Sequence, residues 1–235
     1  MSESTKNRIK PSVTYNQDGL ATVNNCDFMH EPRFAAAYAL GKATNSWRGR
    51  DTHWRAYVVC WAGQHGLARD GDFVECGVYR GGNARALISY VDFDRQPRKF
   101  YLLDTFHGLV DTYISEEERR HGLKPGGYEE CYEAVQETFA PFKNVILVRG
   151  PVPETLPEVK SEKVAFLSID MNCVPPEIAA AEYFWERLSS GAVVVLDDYG
   201  GVGHIFQKHA FDEFASRRGV QVLTLPTGQG LIVKP

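Results

Sequence analysis

Acidic side chains stand where short apolar runs end, and that placement is the first sign of chemistry in this sequence. Glu75 lies in the run 73–76, Asp104 closes 99–103, Asp170 closes Val164–Ile169, and Asp197 and Asp198 follow Ala192–Leu196. Glu75 opens onto the turn Gly77-Val78-Tyr79-Arg80-Gly81-Gly82-Asn83, whose glycines let a ligand approach backbone N–H groups at a helix start. The turn is not G-x-G-x-x-G, because an acid occupies the place of the first glycine. An acid there suits a ligand with an amino group better than a pyrophosphate. Asp104, at the next tip, is of the type that accepts both hydroxyls of a ribose. Together the two point to an adenosine ligand without phosphates, with helix-capping or turn roles as the plain alternative.

Asp170 and Asp197-Asp198 are expected to be neighbours, since consecutive strands usually lie side by side. Three converging carboxylates repel unless a positive charge sits among them. A hard, oxygen-seeking cation such as Mg²⁺ answers that need, and pairing with Arg or Lys is the alternative.

The elements that must position these residues follow from periodicity. After 73–76, Ala84, Leu87, Ile88 and Val91 recur at helical spacing, so the segment reads as strand, tight turn, helix. Further strands are expected over 99–103, Val145–Val148, Val164–Ile169 and Ala192–Leu196, with a helix carrying Ile178, Ala181, Trp185 and Leu188 that stops at Gly191 as its C′ glycine. A helix over 204–217 precedes a terminal antiparallel hairpin, Val220–Leu225 and Leu231–Lys234. Before all of this come helices near Arg33–Gly41 and through Trp54, Val58, Trp61 and His65. The long connection 107–127 leads into a helix with Tyr128, Cys131, Tyr132, Val135 and Phe139 on one face, and a connection of that length is usually functional. Glu116–Arg120 within it reads as a solvated helix face. The expected fold class is α/β: a Rossmann-like, seven-stranded, mostly parallel sheet with helices on both faces, a reversed C-terminal hairpin and a helical N-terminal extension. Residues 1–68 form an arm and helical extension or lid, and 69–235 the main domain. Residues 1–27 show no convincing periodicity and read as an arm.

Composition excludes several classes. With 26 basic against 30 acidic residues, a net charge of −4, the 235-residue chain has no basic excess for phosphate-driven nucleic-acid binding. Its apolar stretches fall far short of the ~20 residues that cross a bilayer, and its polar start is not a signal peptide. Five scattered cysteines without a C-x-x-C pair indicate neither a disulfide framework nor a zinc site, so a reduced, cytoplasmic setting is expected.

The segments GDFVECGVYRGGNA, LLDTFHGL, VRGPVPETLP, FLSID and LSSGAVVVLDDYG resemble the class I S-adenosylmethionine-dependent methyltransferases, specifically the macrocin O-methyltransferase family, over roughly residues 28–235. The resemblance implies an S-adenosylmethionine-dependent, Mg²⁺-assisted O-methyltransferase. Its acceptor would be a hydroxyl of a sugar-containing natural product or glycan precursor, and the protein would self-associate. It implies that Glu75, Gly77, Tyr79, Gly81, Gly82 and Asn83 surround the methionine moiety, that Asp104, Thr105 and Phe106 hold the ribose, and that Gly150 lies near the adenine. Asp170, Asp197 and Asp198 match the family's metal ligands, with Asp170 also at the catalytic centre. The family's second strand-four acid is replaced by Asn172, which cannot take a proton, and His204 is the substitute base. His107 stands where the family has Glu and falls at the substrate mouth or on the lid. The rival readings are a catalytically degenerate cofactor-binding or scaffold protein and a nicotinamide-dependent oxidoreductase.

Overall fold

In the computed structural model, which describes residues 12–235, the alternation of strand and helix becomes one seven-stranded sheet. A small hairpin comes first, β1 (Tyr15–Gln17) and β2 (Leu20–Thr22), followed by α1 (Pro32–Ala43) and α2 (His53–Gly66). The sheet is built from β3 (Asp72–Cys76), β4 (Phe100–Asp104), β5 (Val145–Arg149), β6 (Val164–Ile169), β7 (Leu188–Leu196), β8 (Leu223–Thr224) and β9 (Gly230–Val233). Between these strands run α3 (Gly82–Tyr90), α4 (Glu116–Arg120), α5 (Tyr132–Phe139), α6 (Val174–Trp185) and α7 (Ile205–Arg218). The strand order is β5-β4-β3-β6-β7-β9-β8; the first five are parallel, and β9 runs antiparallel to both β7 and β8. The fold class expected from the sequence is the one found, reversed terminal hairpin included.

Burial explains the apolar runs. Every residue of β6 is buried, as a central parallel strand covered on both faces requires. Val74, Leu103, Leu167 and Val194 point to the face covered by α6 and α7. Phe73, Leu102, Phe166 and Val193 point to the other, where α2 and α3 pack. The N-terminal helices add a third cluster, in which Phe28, Phe34, Tyr38 and Trp47 stack against one another.

Because β4 and β6 flank β3, the chain reverses its direction of winding beside β3, and the carboxyl ends of β3, β4, β6 and β7 open onto one crevice. The tips of β3 and β6 approach closely. A Cβ added at Gly77 (φ +88°) would lie 1.8 Å from the carbonyl oxygen of Asp170, so this position tolerates no side chain.

The structure corrects four details. Gly191 does not end a helix: α6 stops at Trp185, β7 starts at Leu188, and Gly191 sits inside the strand with φ +78°, its missing Cβ leaving room for the Arg69 guanidinium. The first terminal strand is only Leu223–Thr224, because Val220 caps α7 through its bond to Ala215. The arm contains a hairpin whose Asp18-Gly19 turn has both residues left-handed, the strongest short-range hairpin signal in the chain. Residues 1–11 of the expected arm lie outside the described residues. Glu118 in α4 is not solvated: it is 3% exposed. One of its oxygens accepts from the Val174 backbone N–H (2.7 Å) at the start of α6, the other from the N–H and Oγ of Ser115 (2.9 and 2.7 Å). The bond to Val174 fastens the long connection to the start of α6, and the Leu109–Gly126 bridge closes the connection on itself.

Replacing Glu118 by Ala orphans buried donors, so a loss of about 1–3 kcal/mol in denaturant unfolding is expected, with faster proteolytic cleavage between residues 107 and 127. Unfolding and cleavage matching wild type would return Glu118 to the solvated face.

Candidate functional site

Local structure brings each strand-tip acid to a defined place. Asp104 braces the turn after β3: one carboxylate oxygen accepts from the backbone N–H groups of Val78 (2.5 Å) and Tyr79 (2.7 Å), the other from that of Phe106 (2.6 Å). These bonds hold Tyr79 and Phe106 at φ +50° and +60°, a region that side chains rarely adopt. The Thr105 hydroxyl lies 3.4 Å from the oxygen that Phe106 holds, and the carboxylate lines the crevice.

A cavity of about 240 Å³ occupies the crevice. Glu75, Gly77, Tyr79, Asn83, Asp104, Thr105, Phe106 and Gly150 line it, and so do Asp170, Asp197 and Asp198. The Glu75 carboxyl is buried, and burial, reinforced by the charges of Asp197 and Asp104, pushes its pKa well above the usual carboxylate range. Its Oε2 and the Oδ1 of Asn83 are buried acceptors with no hydrogen-bond partner. Two orphaned acceptors at one end of a cavity call for a donor from a ligand, and an ammonium group meets that demand. The residues therefore fit S-adenosylmethionine, whose amino group would meet Glu75 and whose ribose would meet Asp104.

Not every expected residue reaches the cavity wall. Gly81 (φ +80°) begins α3, and a Cβ there would lie 2.5 Å from the Phe139 ring; one at Gly82 would lie 2.7 Å from Ser46 Cβ. Both are packing glycines in this structure. His107 is exposed and bonds through Nδ1 to the Thr105 carbonyl. His204 stands behind Asp198, its Nε2 3.6 Å from Asp198 Oδ2 and its Nδ1 3.0 Å from Gln207 Nε2.

The acceptor side of the cavity holds the acid cluster. Burial and the charges of Asp197 and Asp198 raise the Asp170 pKa well above its ordinary value, and Asn172 Nδ2 lies 3.0 Å from Asp170 Oδ1. Asp198 is also raised, first by burial and then by Asp197. Tyr128 lies before α5 instead of on its face and lines the cavity, where burial and the nearby Asp170 and Asp198 push its hydroxyl up to about 12. Arg48 covers the same wall, its guanidinium 4.8 Å from the Tyr128 ring and 5.2 Å from that of Tyr79.

One side chain without any local sequence signal enters this cluster. Arg55, from α2, donates through Nη1 to Asp197 Oδ2 (2.7 Å) and to the Asp197 carbonyl (2.8 Å), and through Nε to Asp18 (2.8 Å) at the turn of the arm hairpin. Burial works against its charge, but Asp197, Asp18 and Asp198 outweigh burial and raise its pKa above the ordinary value. The second Asp197 oxygen accepts from Gln229 Nε2 at 3.0 Å.

This arrangement does not fit a divalent ion held by Asp170, Asp197 and Asp198. Both Asp197 oxygens already have donors, and among the described residues no three His, Cys, Asp or Glu side chains converge closely enough to share a metal ion. With Arg55 Nη1 3.8 Å from Asp198 Oδ1, a metal bridging the two aspartates would meet a guanidinium. At roughly 4 Å and an effective dielectric constant of about 20, that repulsion amounts to about 8 kcal/mol. The positive charge that the structure places at this cluster is the Arg55 guanidinium.

All five cysteines are free and buried, and among the described residues no helix is long and apolar enough to cross a membrane.

Comparison with known proteins agrees with the geometry. A 4′-O-methyltransferase of 8-demethyl-8-(2,3-dimethoxy-alpha-L-rhamnosyl)-tetracenomycin C from Streptomyces olivaceus is 28% identical over 141 residues, 55% of this chain and 53% of that protein. Mycinamicin III 3″-O-methyltransferase from Micromonospora griseorubida is 25% identical over 142 residues, 55% of each chain. The matched stretch thus spans about half the length of these curated relatives. The solved O-methyltransferase NovP superposes with a TM-score of 0.67 at 22% identity, covering 77% of this chain and 79% of that one, a likeness of fold. Residues 65–224, which contain β3 through β8 and every strand-tip acid described above, match the macrocin-O-methyltransferase (TylF) family, and the chain belongs to that family.

Proposed function

We propose that this protein is an S-adenosylmethionine-dependent O-methyltransferase acting on a hydroxyl of a sugar-bearing natural product or glycan precursor. The observation that carries the reading is the pair of orphaned, buried acceptors, Glu75 Oε2 and Asn83 Oδ1, at the head of a cavity that also contains the ribose-type acid Asp104. Family membership and the rhamnosyl group in the name of the tetracenomycin relative support the acceptor class.

When bound, the cofactor supplies an electrophilic methyl group. Glu75 and Asn83 bind its amino group, and Asp104 its ribose. Gly77 and Gly150 belong to the same cavity wall. Tyr128 and Arg48 wall the acceptor side and, with loop 107–131, exclude water. Asp170, poised by burial toward higher pKa, takes the proton of the acceptor hydroxyl as its oxygen accepts the methyl group. Asn172 cannot do this and instead hydrogen-bonds the Asp170 carboxyl. His204 acts through Asp198 as a positioning residue. One observation favours a second reading, a cofactor-binding protein without turnover: the amide at position 172. Single-turnover methyl transfer to a panel of glycosides separates the two.

Glu75→Gln keeps the shape and removes the charge, so S-adenosylmethionine affinity falls ~10–100-fold by titration calorimetry; wild-type affinity in this variant would remove Glu75 from the cofactor site. The raised Glu75 carboxyl gives a pH signature. Without cofactor it keeps its proton to higher pH than an ordinary carboxyl, and an ammonium beside it favours ionisation, so binding releases a proton and affinity increases with pH until the free carboxyl is ionised. Calorimetry in buffers of different ionisation enthalpy reads the proton directly, and buffer-independent heats would contradict the assignment.

A further inference from the structure

We infer that Arg55 is the resident cation of the acceptor-side acid cluster, a positioning residue that neutralises Asp197 and faces Asp198 where a divalent ion would otherwise be required. The inference rests on the methyltransferase reading of the cavity and goes beyond it, because it assigns a specific electrostatic part to a helix outside the strand tips.

The argument is one of geometry. The Arg55 side chain is 19% exposed and lines the cavity. Two of its three nitrogens are held by acceptors from separate parts of the chain. Asp197 takes Nη1 with both a side-chain and a main-chain oxygen, and Asp18 takes Nε. The other Asp197 oxygen belongs to Gln229, a fully buried residue whose Nε2 also lies 3.5 Å from the Arg55 carbonyl. The same glutamine therefore holds the helix backbone and the carboxylate that the helix's guanidinium grips. Such a network fixes Asp197 without any exchangeable ion. A guanidinium is charged at every pH the protein meets and offers planar, directed donors, whereas a metal ion comes and goes with its concentration. Asp18 adds a second consequence: docking of the β1–β2 hairpin and neutralisation of the cluster share one side chain, so the arm is part of the site's charge balance.

Full-length protein stripped with chelator and titrated with Mn²⁺, read by calorimetry and by the electron paramagnetic resonance of free Mn²⁺, tests this. Wild type is expected to take up no Mn²⁺ below millimolar concentration. Arg55→Met, which removes the guanidinium and frees Asp197 and Asp198 to rearrange about an ion, is expected to take up one Mn²⁺ per chain at least ~100-fold more tightly. A wild-type site of micromolar affinity that is lost in Asp198→Asn overturns the inference, and so does a folded Arg55→Met that takes up none. If Arg55→Met does not fold, the wild-type titration decides alone. S-adenosylmethionine titrated in parallel reports on the methyltransferase reading separately: failure of the cofactor to bind sinks that reading and leaves the Mn²⁺ result standing.

Discussion

Gathering carboxylates at the carboxyl edge of a parallel sheet means removing them from water beside one another, and both desolvation and mutual repulsion oppose it. The architecture around the cavity answers this acid by acid. Asp104 is met by three backbone N–H groups, Glu177 by the Met171 N–H, Glu118 by the first amide of α6, and Asp197 by Arg55 and Gln229. These donors and acceptors come from several segments, so satisfying the acids also ties the arm, the long connection and the terminal hairpin to the strand ends. Glu75 stands apart, with one oxygen left without a partner. Asp104, Glu118, Glu177 and Asp197 have protein donors, whereas the Glu75 oxygen is left for a donor that a ligand brings.

The strand tips were legible because parallel strands buried on both faces must be apolar throughout, so the first acid after each run marks its end. Glu75, Asp104, Asp170, Asp197 and Asp198 all line one cavity for that reason. Glycines proved harder to read, since a glycine reports that space is short without saying what fills it. Gly81 and Gly82 meet Phe139 and Ser46, and Gly191 makes room for Arg69 inside a strand. Glu118 looked solvated among its four charged neighbours in 116–120, and its tertiary bond to Val174 shows otherwise.

Arg55 and Asp18 escaped for a different reason. Their partners lie 142 and 37 residues away, and no local pattern encodes such a meeting. Asp18-Gly19 did carry a turn signal, yet three-residue strands are too short for alternation to stand out. The charge argument itself was sound: converging carboxylates need a positive partner. Periodicity along the chain could not say whether that partner would be a bound ion or a side chain arriving from α2.

The contact between Gly77 and the Asp170 carbonyl has a bearing on how proteins of this shape diversify. The tips of β3 and β6, which carry the Glu75 end and the Asp170 end of the cavity, meet there main chain against main chain, with no side chain between them. Substitutions on the walls, at Tyr128 or Arg48, can alter which molecule is admitted while the spacing of the two strand tips stays constant. Selectivity and spacing are thereby under separate control, and a chain of this kind can change its clientele without having to rediscover its chemistry.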